Sequence, residues 1–69
     1  MSVYRVTEVI GTSTEGWEAA ARNAVETAGE TIRDLRVAEA TRFDVTIQDG
    51  KVTAYRVRLN VSFKYESGD

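Results

Sequence analysis

From Val52 to Tyr65 the chain alternates with a period of two: Tyr55, Val57, Leu59, Val61, Phe63 and Tyr65 interleave with Arg56, Arg58, Asn60, Ser62 and Lys64. That period belongs to a β-strand with one apolar and one polar face. Such a strand cannot bury its apolar row alone, so the rest of a 69-residue chain must supply both pairing strands and a covering layer. Two other segments read as strands. Val3 to Ile10 is rich in β-branched and aromatic residues. Arg36 to Gln48 alternates, with Val37, Glu39, Thr41, Phe43, Val45 and Ile47 on one side.

The covering layer is predicted between them. From Ser13 to about Asp34 the apolar residues Trp17, Ala20, Ala21, Ala24, Val25, Ala28, Ile32 and Leu35 recur in steps of three and four, which is one face of an α-helix. Alanine at most of these positions lets a sheet approach closely. Glu18, Arg22, Glu26, Glu30 and Arg33 mark the opposite face, and Glu18–Arg22 has the favourable i,i+4 spacing. Thr12 and Glu15 fit a capping box, with Ser13 as a rival N-cap. Gly29 falls inside the predicted helix, where glycine costs about 1 kcal/mol relative to alanine.

Asp49-Gly50 is a strong hairpin signal. A two-residue turn there sets Phe43 opposite Arg56; a three-residue loop sets Phe43 opposite Tyr55 and Val37 opposite Val61. The hydrophobic pattern prefers the second, a bulge reconciles the two, and the register stays open.

The element order is therefore β-α-β-β and the fold class α+β, a three-stranded antiparallel sheet wrapped around one helix. A right-handed crossover makes the first two strands parallel, and the last strand fits between them, antiparallel to both. Strands of about 13 residues run roughly 43 Å at 3.3 Å per residue. A helix of about 22 residues covers only roughly 33 Å. The strands overhang the helix, and the two outer strands leave open edges of the kind that monomers protect. Both features point to a homo-oligomer.

Self-association and oxygen-ligated ions are the remaining ways to stabilise so small a fold, and the first carries more weight. The sequence has no cysteine and no histidine, which excludes disulfides, the usual zinc and iron–sulfur sites, and thiol or imidazole catalysis. With nine Lys and Arg against eleven Asp and Glu, the net charge of −2 disfavours nucleic-acid binding. No apolar run is long enough for a signal or membrane segment, so a single cytoplasmic domain over residues 1–69, without membrane attachment, is expected. No nucleophile–base pair can be drawn, so an enzyme is not expected.

The stretches Tyr4 to Ser13 and Tyr55 to Lys64, with the alanine-rich helix between them, resemble the dodecin family along nearly the whole length. The resemblance implies the β-α-β-β order derived above and a hollow homododecamer. In the flavin-storing branch it also implies non-catalytic flavin binding between subunits. The tryptophan that stacks on the flavin in that branch corresponds here to Val37, and the glutamine that hydrogen-bonds it to Arg56. Valine offers no stacking face, and arginine has no acceptor. Flavin is therefore the less favoured cofactor, and Arg56 is expected to pair with Glu39 or Asp44. The early helical Trp17, expected as a core or subunit-contact anchor, and the Arg36-Val37-Ala38 strand start look like the family's calcium-binding branch. Calcium takes six to eight oxygen ligands. No single-chain calcium loop is present, so carboxylates gathered across a symmetry axis are expected, with Glu8 and Asp44 as the metal ligands.

Overall fold

Four elements appear in the expected order: β1 (Tyr4–Ser13), α1 (Trp17–Ala28), β2 (Leu35–Gln48) and β3 (Lys51–Lys64). The computed structural model describes residues 2–64, so Tyr65, predicted to close the last strand, lies outside them. The sheet order is β1-β3-β2, and β3 is antiparallel to both neighbours.

Two helix boundaries differ from the sequence reading. The helix starts at Trp17, not near Ser13, because β1 runs on to Ser13. The N-cap is Gly16, which makes no side-chain cap bond. Ser13 Oγ instead accepts the Glu15 N–H at 3.0 Å, and Thr12 belongs to β1, so the capping box does not form. The helix ends at Ala28, with Gly29 as its C-cap, and so spans 12 residues and not about 22. Beyond it the ladder loosens into a turn in which Glu30 N–H bonds Thr27 O at 3.1 Å and Thr31 N–H bonds Ala28 O at 3.2 Å. Asp34, at φ 60°, then turns the chain into β2. Ile32 and Leu35 keep the three-and-four spacing without being helical. Gly29 closes the helix at its C-cap while keeping a right-handed helical conformation, φ −66° and ψ −15°, and the left-handed turn out of the segment is made by Asp34.

The core lies between α1 and the central strand. Val57, Leu59 and Val61 are 0 %, 2 % and 1 % exposed and pack on Ala20 and Ala24, with Val9, Ala21, Val25 and Leu35 around them. Gly11 of β1 sets the helix–sheet spacing. A Cβ there would run into the Ala20 carbonyl and stand 2.8 Å from Ala24 Cβ. The alanine stripe and this glycine together bring backbone against backbone. Among the described residues no helix is long and apolar enough to cross a membrane.

The β2–β3 register is neither of the two uniform alternatives. Asp49 and Gly50, at φ 53° and 74°, form the two-residue turn, and Gln48 pairs with Lys51. Three register shifts follow, leaving Thr53, Thr41 and Arg36 as the extra residues, so that Phe43 faces Val57 and Val37 faces Ser62. Each irregularity carries a hydroxyl-to-carbonyl bond across the strands: Thr53 Oγ1 to Thr46 O at 3.2 Å, Thr41 Oγ1 to Arg58 O at 3.2 Å, and Ser62 Oγ to Val37 O at 3.2 Å. Because each bulge shifts the alternation, β2 does not keep Val37 and Phe43 on one side. Directly opposed residues share a face. Leu35, Ala38, Ala40, Phe43 and Val45 therefore lie on the helix side with Phe63, Val61, Leu59, Val57 and Tyr55, while Val37, Glu39, Arg42 and Asp44 lie on the outer face.

The helix is about 18 Å long at 1.5 Å per residue, against about 46 Å for a 14-residue strand. The molecule is accordingly elongated, 53 × 20 × 14 Å. The helix lies over β1 and β3 and barely reaches β2. Phe43, on the helix side, stays 57 % exposed.

Candidate functional site

The outer sheet face carries the polar chemistry, and the register arranges it in rows across the three strands. In the order β1–β3–β2 these are Val6–Ser62–Val37, Glu8–Asn60–Glu39, Ile10–Arg58–Arg42 and Thr12–Arg56–Asp44. Neighbouring members of a row stand about 4.5–5.5 Å apart at Cα. An apolar row is thus followed by an acidic, a basic and an ion-paired one. Val6, Ile10 and Val37 are exposed.

Arg56 grips Asp44 through two parallel bonds, Nε to Oδ1 at 2.7 Å and Nη2 to Oδ2 at 3.0 Å, the fork-on-fork geometry of a strong guanidinium–carboxylate pair. Of the two carboxylates expected as partners, Asp44 is the one engaged. These bonds hold Asp44 below the usual carboxylate pKa against the opposing effect of desolvation, and the charges of Arg56, Arg58 and Arg42 lower it further. Arg56 is raised in turn, first by its hydrogen bond to Asp44 and then by the Asp44 charge.

The four residues singled out from the sequence all lie on this face but do not converge within one chain. Val37 is opposed to Ser62, six residues along β3 from Arg56, about 20 Å at 3.3 Å per residue. Glu8 and Asp44 sit on opposite edge strands, two rows apart. Glu8 is directly opposed to Asn60, and Glu39 flanks Asn60 on its other side, two strand spacings from Glu8. Among the described residues no group of three or more His, Cys, Asp or Glu is placed to hold a metal. The sequence reading missed the juxtaposition of Arg42 with Arg58. Only the alternation of β3, which assigns Arg58 and Asn60 to the polar face, hinted at it.

Trp17 anchors the start of the helix to β2. Its indole Nε1 donates to Asp44 O at 3.0 Å, and its ring meets Phe43 and Tyr55 edge-on at 5.9 and 5.2 Å. One aromatic side chain thereby fixes the backbone of the residue that Arg56 holds from the other face of the sheet.

A helix laid on one face of a sheet ordered β1-β3-β2, with the other face bare, defines a small α+β fold of one helix and three antiparallel strands. The chain matches the Dodecin family over residues 3–66 and belongs to it. It is 48% identical over 65 residues to calcium dodecin of Mycobacterium tuberculosis, covering 93% of this chain and 90% of the relative. Among solved structures, dodecin from Streptomyces coelicolor superposes with a TM-score of 0.91 at 43% identity, covering 97% of this chain and 96% of that one. The M. tuberculosis calcium dodecin, described as calcium chelating with a novel calcium-binding site, superposes with a TM-score of 0.83 at 42% identity, covering 99% and 97%.

Proposed function

We propose that this chain is a non-enzymatic binding and storage subunit that works as a closed homododecamer and takes a divalent cation, calcium, between copies. The observation that carries the reading is the 48% identity to a relative named calcium dodecin. Two features of the chain support it. Val37 and Arg56 stand at the flavin-contact positions, and Arg56 is already committed to Asp44. The row Glu8–Asn60–Glu39 offers oxygen donors at strand spacing, the ligand type calcium takes. One chain falls short of the six to eight ligands calcium prefers, so Glu8 of one copy meets carboxylates of another, and Asp44 joins by leaving Arg56. The bare β2 edge and the overhanging strands give those copies a place to meet.

Calorimetric titration with calcium tests this reading. Saturable binding is expected in the native protein, weakened by Glu8→Gln and by Asp44→Asn; affinity unchanged in both variants removes the site assignment. Quenching of riboflavin fluorescence by micromolar protein would return flavin as the ligand. A monomer by native mass spectrometry would overturn the assembly.

A further inference from the structure

Next to the acidic row, the outer face holds a second feature that the cation reading leaves unused. Arg58 and Arg42 are direct cross-strand partners, with Ile10 on the other side of Arg58. Like charges placed directly opposite repel. Among the described residues no hydrogen bond or ion pair engages Arg42 and none engages the Arg58 Nε; only the charge of Asp44, itself bound to Arg56, offsets the repulsion. That Nε is nevertheless sealed from solvent. A buried guanidinium N–H without an acceptor is costly. Because the same burial keeps an outside ligand from it, a ligand meets Arg58 only through the terminal N–H groups of a guanidinium that has no counter-ion among the described residues. The nearest carboxylates do not supply it. Asp44 spends both oxygens on Arg56, and Glu8 and Glu39, one row away, form no ion pair with either arginine. Both Arg58 and Arg42 are close enough for their charge to act on Asp44, so three guanidiniums surround a single carboxylate.

We propose that the Arg42–Arg58 pair is an oxyanion site, binding the phosphate or carboxylate group of a small molecule on the outer sheet face. Two planar guanidinium forks side by side match the geometry of such a group, and each can give it parallel N–H bonds. The exposed Ile10 beside the pair and Val37 on the same strand as Arg42 offer apolar surface to the body of an organic anion. The site uses different residues from the cation reading, and it calls for a ligand of the opposite charge.

The test is calorimetric titration of the assembled protein with inorganic phosphate, then pyrophosphate, in calcium-free buffer. Saturable binding is expected in the native protein. Arg42→Gln and Arg58→Gln should each weaken it roughly tenfold or more, the loss of a charged hydrogen-bond donor. Arg42→Lys should keep part of the affinity, because charge remains while the fork is lost. Arg22→Gln, which removes a cation from the far helix face, should leave binding unchanged and so separates a site from a net-charge effect. Far-UV circular dichroism confirms that each variant folds. Absence of phosphate binding in the native protein, or equal binding in Arg42→Gln, Arg58→Gln and the native chain, overturns the proposal. So does disassembly of both glutamine variants, seen by native mass spectrometry, in a protein that takes up no phosphate: the missing acceptor would then be a carboxylate of a second copy. Calcium titration is scored separately, so either site can fail without the other.

Discussion

On the helix side of β3, Val57, Leu59 and Val61 are closed off by α1, while two ångström-scale steps away, on the outer side of the same strand, Arg58 and Arg56 stand among exposed Ile10, Val6 and Val37. The helix side is finished within one chain: alanines on one wall, valine and leucine on the other, and Gly11 where the backbones touch. The outer side is unfinished, with a like-charge pair, a carboxylate row that shares no cation, and apolar side chains in the open. A single strand therefore divides the work. From Tyr55 to Phe63 its odd-numbered residues face the helix, and its even-numbered residues carry the polar outer face.

That division can be broken most forcefully at Gly11. Gly11→Val forces a side chain into the Ala20 carbonyl, a rigid backbone atom, so destabilisation of about 3 kcal/mol or more is expected. Chemical denaturation at fixed protein concentration measures it, because assembly and stability are linked. Near-native stability would mean that the close helix–sheet contact is not what holds the inner side. A smaller effect sharpens the link between the sides. Trp17→Phe keeps a ring against Phe43 and Tyr55 but loses the indole bond to Asp44 O, at a cost of about 1 kcal/mol by the same measurement. A matching loss of calcium affinity would show that the inner anchor positions the outer carboxylate.

The smallest effect is expected from the Asp44–Arg56 pair, which is partly exposed and so screened by solvent. Because Asp44 is lowered in the folded chain, its contribution is complete above the ordinary carboxylate range. It declines as the pH falls through that range towards the lower folded-state value. Asp44→Asn should therefore flatten the acid limb of a stability–pH profile and leave the neutral region less stable; an unchanged acid limb would show that the pair contributes nothing.

The inner side was largely legible in the sequence. The two-residue period of β3, the three-and-four spacing of the helix and the Asp49-Gly50 turn are local signals, and they yield the element order and the antiparallel sheet. The end of the helix was not legible, because Ile32 and Leu35 continue the spacing through a turn that leads to the left-handed Asp34. The outer side was hidden for a different reason. In a uniform register Arg42 would not meet Arg58; the extra Thr53 near the turn brings them together, and threonine is an ordinary strand residue that announces no bulge. The Asp44–Arg56 pair was anticipated only as one of two options, because neither uniform register sets Asp44 opposite Arg56; the Thr53 bulge does. The row of Glu8, Asn60 and Glu39 depends on pairings far from the turn.

The sheet order also governs when this protein can fold. β1 and β2 never touch through the ladder; each pairs only with β3, the last strand in the chain. During synthesis, then, no rung of the sheet can close until residues 51–64 have emerged from the ribosome, however long the earlier segments wait. Folding of this topology is a late, concerted event, and a transcript cut short before that strand would yield a polypeptide with a helix and no scaffold to lay it on.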